Sequence, residues 1–308
     1  MSSMSNTAIV GSIPPLVTPL RAAGADAPEV DYERYAQLVE FQIENGSHGV
    51  LVNGTSAEPS SLSLDERNRL VDVAVEAAAG RRPVIAASGS QSFAESEALC
   101  RHALAAGADA LLIVTPYYIR PPQRGLVEYF LRLCARCEKP WLLYHIPGRT
   151  AVGVTLDTLA ELRERSGAFI GMKHAVNDLG LVSRCRAALG DDFRIFAGLE
   201  ELSFPMLAVG ACGLMNAVGN LQPRPLARMC EAVERNDLAG ARELHQSLLE
   251  LNQAVFYETN PIPIKYMLKR LGVLADNLHR LPMMAASPEL ERRLDGVLER
   301  AGLLGKAA

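Results

Sequence analysis

The sequence predicts an α/β chain that closes into a (β/α)8 TIM barrel over residues 8–235, with a C-terminal helical appendage over residues 236–308. Three observations predict it. Short β-type runs alternate with helical patterns from residue 10 to about residue 235. Each run is continuously apolar rather than alternating, as in a parallel strand that helices bury on both faces. After about Arg235 the strand pattern stops while helical periodicity continues. Eight βα units with short connections close into a barrel more readily than they spread as an open sheet. A doubly wound sheet is the competing architecture, but no Gly-x-Gly-x-x-Gly follows the first run.

Taken in order, the first strand is expected at Ile13 to Val17, and the next segment, Asp31 to Asn45, has helical periodicity closed by Gly46. Gly49 to Val52 forms the second run. Ser63-Leu-Asp-Glu66 is a capping box that opens a helix ending near Gly80. The remaining runs are Pro83 to Ala87, Ala110 to Val114, Trp141 to Tyr144, Phe169 to Met172, Phe193 to Ala197 and Gly213 to Asn216. Three helical segments complete the chain: Leu238 to Phe256, Pro261 to Leu271 and Ser287 to Ala301.

Composition narrows the function classes. A chain of 308 residues that is 49% apolar and 21% charged supports a large core beneath a solvated surface. The net charge of −4, with 31 basic residues spread along the chain, leaves no electrostatic footprint for nucleic acid. Met1 to Thr7 lacks the basic start and apolar core of a signal peptide, and no run of apolar residues is long enough to span a membrane. A cytoplasmic location is therefore expected. The six cysteines are scattered through apolar segments. Cys134 and Cys137 form a C-x-x-C inside an amphipathic pattern, with no second pair to complete a zinc site.

One lysine stands out. Phe169-Ile-Gly-Met-Lys-His-Ala175 reads as a buried strand carrying Lys173 at its end. An ammonium removed from water is costly, so such a lysine demands compensation or chemistry. In a barrel the active site lies at the carboxyl ends of the strands, which here bring Asn53 to Glu58, Thr115 to Tyr118, Tyr144 to Arg149 and Lys173 toward one mouth. A lysine in apolar surroundings has its ammonium form disfavoured, and the free amine condenses with a ketone to a Schiff base. Tyr144 can move the protons this requires, with Thr55 as a relay. The plainer alternative for Lys173 is a snorkelling side chain.

Other residues keep two readings each. Arg149 suits a planar carboxylate, or a salt bridge to a nearby acid. Thr55 and Ser56 present hydroxyls and backbone N–H groups to an oxyanion, or simply make a turn. Tyr117 and Tyr118 are packing or interface residues. His145 and His174 flank the site without the acidic or cysteine partners of a metal centre, so they are read as supporting groups. Gly198-Leu-Glu-Glu201 places two acids where barrels of phosphorylated substrates hold phosphate, which disfavours such substrates.

Gly54-Thr-Ser-Ala-Glu58, Val114-Thr-Pro-Tyr-Tyr118, Tyr144-His-Ile-Pro-Gly-Arg-Thr150, Gly171-Met-Lys173 and Asn260-Pro-Ile-Pro-Ile-Lys265 together resemble the dihydrodipicolinate synthase and N-acetylneuraminate lyase superfamily of pyruvate-dependent class I aldolases. The resemblance implies that Lys173 forms the Schiff base with pyruvate and that Tyr144 carries protons through Thr55 and Tyr118. Tyr118 would reach in from a neighbouring subunit. It further implies that Ser56 binds the pyruvate carboxylate, that Gly198 and Met215 line the pocket, and that the chain forms a homotetramer or dimer without metal or organic cofactor. Arg149 and the Asn-Pro-x-Pro-x-Lys stretch resemble the synthase branch, implying aspartate semialdehyde as the second substrate. Ser56, Ala57, His145, His174 and Leu199-Glu200 depart from the usual synthase motifs, and Pro59 and Leu64 replace polar residues of its regulatory lysine pocket. The alternatives are another aldolase or dehydratase acting on a 2-keto acid or deoxy sugar acid, and a catalytically silent keto-acid-binding barrel.

Overall fold

The structure, a computed structural model, describes residues 9–24, 26–135 and 139–304. Strand β1 (Gly11–Ser12) is followed by an antiparallel hairpin of β2 (Leu20–Ala23) and β3 (Asp26–Val30). Then come β4 (Val50–Val52), β5 (Val84–Ala87), β6 (Ala110–Val114), β7 (Trp141–His145), β8 (Phe169–His174), β9 (Arg194–Ala197) and β10 (Gly213–Leu214). Apart from the hairpin, these eight strands form one parallel sheet in the order β1-β10-β9-β8-β7-β6-β5-β4. A parallel bridge between Pro15 and Leu51 joins its two ends, with Leu16 N–H donating to Leu51 O at 2.9 Å and Leu51 N–H to Pro14 O at 3.0 Å. The sheet is thus a closed barrel with helices outside it.

The first strand differs from expectation. It is assigned at Gly11–Ser12 rather than Ile13 to Val17, because Pro14 and Pro15 have no N–H to continue a ladder. Ile13 N–H still donates to Leu214 O at 2.8 Å, so the segment stays pinned on both sides. The hairpin β2–β3 has no expected counterpart; its polar sequence around Gly24 lacks the alternation that marks a strand. The helix expected at Leu238 to Phe256 is split into Leu238–Ser247 and Leu249–Ala254. At the break, Leu248 N–H is shared between Leu244 O and His245 O. Cys137 and Met1 to Thr7 lie outside the described residues. Among the described residues no helix is long and apolar enough to cross a membrane, and no cluster of His, Cys, Asp or Glu could hold a metal.

Local signals set the helix ends. The helix Tyr32–Glu44 starts where Asp31 Oδ1 accepts from Arg34 N–H at 2.9 Å, and Gly46 takes φ +86° beyond its end. Helix Leu64–Ala78 opens with a reciprocal capping box, Glu66 N–H to Ser63 Oγ at 3.2 Å and Ser63 N–H to Glu66 Oε2 at 2.9 Å.

Two cores follow from the period-2 geometry of the strands. Ile13, Leu51, Ile85, Leu112, Leu142, Tyr144, Phe196 and Met215 pack together in one cluster. Their strand neighbours, such as Val50, Leu111, Trp141, Leu143 and Ile195, join a larger cluster with the helices. That second cluster also takes in Ile264 and Leu268 of helix Ile262–Arg270 and Leu294 and Leu298 of helix Pro288–Arg300. Because β7 and β8 pair Tyr144 with Lys173 and His145 with His174, alternation sends one pair to each face.

Candidate active site

A cavity of about 270 Å3 opens at the carboxyl ends of the barrel strands. Lys173, Tyr144, Thr55, Ser56, Arg149, Gly198 and Met215 all line it. Lys173 comes from the end of β8 and is 3% exposed. Among the described residues no carboxylate oxygen lies within 4.0 Å of its Nζ. Its nitrogen sits instead 4.5 Å from the centre of the Tyr144 ring. Gly198 makes this possible: a Cβ there would stand 3.0 Å from Lys173 Cε and 3.0 Å from Ala175 Cβ. The glycine leaves room for the lysine stem where β9 ends.

Tyr144 Oη and Thr55 Oγ1 are 3.2 Å apart, so either can donate to the other. Thr55 and Ser56 ride on the one-turn helix Thr55–Ala57 that follows β4. Arg149 projects from the short helix Pro147–Thr150 after β7. It lines both this cavity and an adjoining one of about 640 Å3. No acid pairs with Arg149 among the described residues, which removes the salt-bridge reading and leaves its fork open to a ligand. Tyr118 is not at this chain's cavity. It stands 88% exposed at φ +76°, while Tyr117 lines the larger cavity.

Four features go beyond the sequence reading. Glu200 lines the cavity at 2% exposure, with Oε1 accepting from Ala217 N–H at 2.6 Å and Oε2 left without a partner. Burial pushes its carboxyl up to about 7, against the pull of the Ala217 N–H and the Lys173 charge. The acids of Gly198-Leu-Glu-Glu201 therefore separate, since Glu201 is exposed and bonds Gln253 at 3.0 Å. Asn260 is the second feature, lining the cavity with Nδ2 3.1 Å from Ser56 Oγ. The Asn-Pro-x-Pro-x-Lys motif was its only signal.

The third is a buried triad: Glu58 takes Lys265 Nζ at 3.0 Å and His279 Nδ1 at 2.8 Å. The fourth is a histidine chain at the ends of β7 and β8. Val154 N–H donates to His145 Nε2 at 3.3 Å, the two Nδ1 atoms of His145 and His174 lie 3.2 Å apart, and His174 Nε2 is 3.2 Å from Asp178 O. The ends assign the tautomers: His174 carries its proton on Nε2 for the carbonyl, and His145 carries its own on Nδ1 for His174. Both rings are thereby neutral. Burial lowers the pKa of each, that of His145 to about 4 with His174 adding to the effect.

Comparison with known proteins decides the lineage of this site. A model of the dihydrodipicolinate synthetase family matches residues 8–301. The chain belongs to that family. Among dihydrodipicolinate synthetase relatives, it is 41% identical over 297 residues to a 4-hydroxy-tetrahydrodipicolinate synthase of Thermus thermophilus, covering 96% of this chain and 97% of the relative. The dihydrodipicolinate synthase structure from Aquifex aeolicus superimposes with a TM-score of 0.92 at 36% identity, covering 97% of this chain and 100% of that one. A chloride-inhibited dihydrodipicolinate synthase from Acinetobacter baumannii, complexed with pyruvate, does so with a TM-score of 0.92 at 32% identity, covering 96% and 100%.

Proposed function

We propose that the chain is a class I lyase that joins pyruvate to aspartate semialdehyde through a lysine Schiff base, as 4-hydroxy-tetrahydrodipicolinate synthases do. The observation that carries this reading is Lys173, buried in an open cavity beside Tyr144 and Thr55 and without a carboxylate partner among the described residues. The relatives named above carry the same activity in their names, and one is complexed with pyruvate.

In this mechanism the Lys173 amine, having given up its proton, attacks the keto carbon of pyruvate, and the carbinolamine loses water to an iminium. The iminium withdraws electrons and acidifies the adjacent methyl group, which gives a proton to Tyr144 and becomes an enamine. The enamine carbon attacks the aldehyde carbon, and the new alkoxide takes a proton from Tyr144. The amino group of the second substrate then attacks the iminium carbon, closing the ring and releasing the Lys173 amine. Tyr144 gives and takes these protons, with Thr55 at 3.2 Å as its first relay. Ser56 and the neighbouring backbone N–H groups hold the pyruvate carboxylate, Gly198 and Met215 shape the pocket, and Arg149 grips the carboxylate of aspartate semialdehyde. Borohydride with pyruvate tests the covalent step: a mass increase on Lys173, absent from K173A, is expected, and its absence from the wild type would sink the reading.

A second reading has one observation in its favour. The unpartnered Oε2 of Glu200 would suit a hydroxyl-bearing 2-keto acid or deoxy sugar acid. Kinetics with aspartate semialdehyde against a panel of polyhydroxy aldehydes separates the two, and a silent keto-acid-binding barrel would turn over none of them. The same proposal divides the chain into a barrel at 8–235 and a helical appendage at 236–308, supported by the absence of barrel strands after β10 among the described residues. It also includes a homotetramer or dimer in the cytoplasm, with no nucleic-acid or membrane partner. Exposed Tyr118 and Ile119, 88% and 60% accessible, support a subunit contact through which Tyr118 joins a neighbour's relay. Light scattering of wild type and Tyr118→Ala checks the assembly.

A further inference from the structure

Ser56 is held by a residue from outside the barrel. Asn260 lies 204 positions away in the chain, yet its Nδ2 is 3.1 Å and its Oδ1 3.3 Å from Ser56 Oγ. Both residues are buried, and both line the cavity that contains Lys173. A hydroxyl has one proton, whereas an amide can either give or accept. With Ser56 donating to Oδ1, its proton is turned away from the cavity. With Nδ2–H donating to Oγ, that proton is free. A carboxylate accepts only, so its arrival selects the second arrangement and gains a charge-assisted bond.

The pairing is clamped at a second point. Glu58, two residues beyond Ser56 and at φ +56°, bonds Lys265 at 3.0 Å and His279 at 2.8 Å. Lys265, on helix Ile262–Arg270 just beyond Asn260, is fully buried. Burial alone would raise the Glu58 pKa, but the bonds and charges of His279 and Lys265 hold it below the ordinary carboxylate range. Arg280 adds two bonds to Glu66, at 2.8 Å each, and one to Ser61 O at 3.0 Å. The turn after β4 and the helix start beyond it are thus tied to the segment 260–280 at Ser56, Glu58, Ser61 and Glu66.

We propose that Asn260 is a positioning residue that frees the Ser56 hydroxyl proton for the carboxylate of pyruvate, with the Glu58–Lys265–His279 triad fixing the two segments together. This rests on the pyruvate chemistry proposed above. The discriminating variant is N260D, which keeps the shape of asparagine while reversing the preference: an ionised carboxylate only accepts, so it holds the Ser56 proton back and repels the substrate.

The experiment measures the pyruvate concentration for half-maximal borohydride trapping on Lys173, with KM for both substrates, in wild type, N260S, N260A and N260D. N260A is expected to raise the pyruvate requirement about fivefold, the loss of roughly one neutral hydrogen bond that orients the Ser56 hydroxyl. N260D is expected to raise it further at pH 8, and to recover toward N260A as the pH falls and its carboxyl protonates. N260S should lie between wild type and N260A, and KM for the second substrate should change less than twofold. The proposal is overturned if N260D traps pyruvate as the wild type does, or if KM for both substrates rises equally. S56A gives a check that needs no variant at 260: wild-type trapping by S56A also overturns it. A wild type that traps nothing removes the covalent reading itself, whereas normal wild-type trapping with an unaffected N260D removes this inference alone.

Discussion

Among the described residues, two buried lysines differ in what surrounds them. Lys173 is 3% exposed, faces a cavity and has no acid within 4.0 Å among the described residues; Lys265 is 0% exposed and sits 3.0 Å from Glu58, whose other oxygen holds His279. Burial by itself therefore says little about chemistry. A buried cation with its counter-ion is a fastening, costly to break because the partner charge would be stranded. A buried amine without one, in reach of a cavity, keeps its nitrogen for a ligand.

Exchanging each lysine for an uncharged residue should give opposite phenotypes. K173A is expected to lose activity by on the order of 10^4-fold or more, with folding stability changed by less than about 1 kcal/mol. Turnover assays beside urea titrations check this, and a large fall in the urea midpoint would erase the contrast. Lys265→Met should do the reverse, costing about 3–5 kcal/mol of stability by stripping buried Glu58 Oε1 of its cation and leaving His279 as the partner of Oε2. Adding Glu58→Gln should restore most of that loss. Any activity lost by the folded Lys265→Met protein should appear in KM for pyruvate.

Arg149 extends the comparison to an exposed cation that also lacks an acid partner. Arg149→Ala should lower kcat/KM for aspartate semialdehyde by about 100-fold, the loss of a bidentate charged contact, while leaving borohydride trapping of pyruvate unchanged. Equal losses in both assays would assign Arg149 to the pyruvate step instead.

The smallest effect concerns the neutral histidine pair. Their folded pKa values lie below the unfolded value near 6.5, so the unfolded chain binds the proton first as pH falls. Their contribution is present above about pH 6.5 and is lost progressively toward about 4. The Lys173 strand and its neighbour should therefore loosen in acid through His174 and His145. Glu200 has the opposite slope, since its raised pKa favours the fold as pH drops from about 7 toward 4.5. The measurement is consequently the difference in urea midpoint between wild type and His145→Asn from pH 7 to 4. A gap that does not change with pH would refute the neutral-pair assignment.

How much of this was legible depended on where the signal lay. Lys173 stands in an apolar strand, where any cation is conspicuous. Lys265 stands in Ile-Pro-Ile-Lys-Tyr-Met-Leu-Lys-Arg, where a lysine reads as the wet face of an amphipathic helix. Its partner is 207 residues away, and nothing local announces the pairing. Glu200 was visible only as one of two adjacent acids, and solely the backbone path after β9 turns it inward and Glu201 outward. The histidine chain needs the β7–β8 register, which aligns His145 with His174 as it aligns Tyr144 with Lys173.

By itself the sequence determined the periodic elements, their caps and the set of residues at the strand ends. These depend on interactions within a few residues, such as the Ser63 capping box, or on which faces must be apolar. Only the tertiary structure decided which polar groups find partners. Closing the barrel and folding the last helices against it brings Asn260 to Ser56 and Lys265 to Glu58 while leaving Lys173 alone beside Tyr144. Counter-ions and hydrogen bonds are satisfied across space, and their distance along the chain carries no record of them.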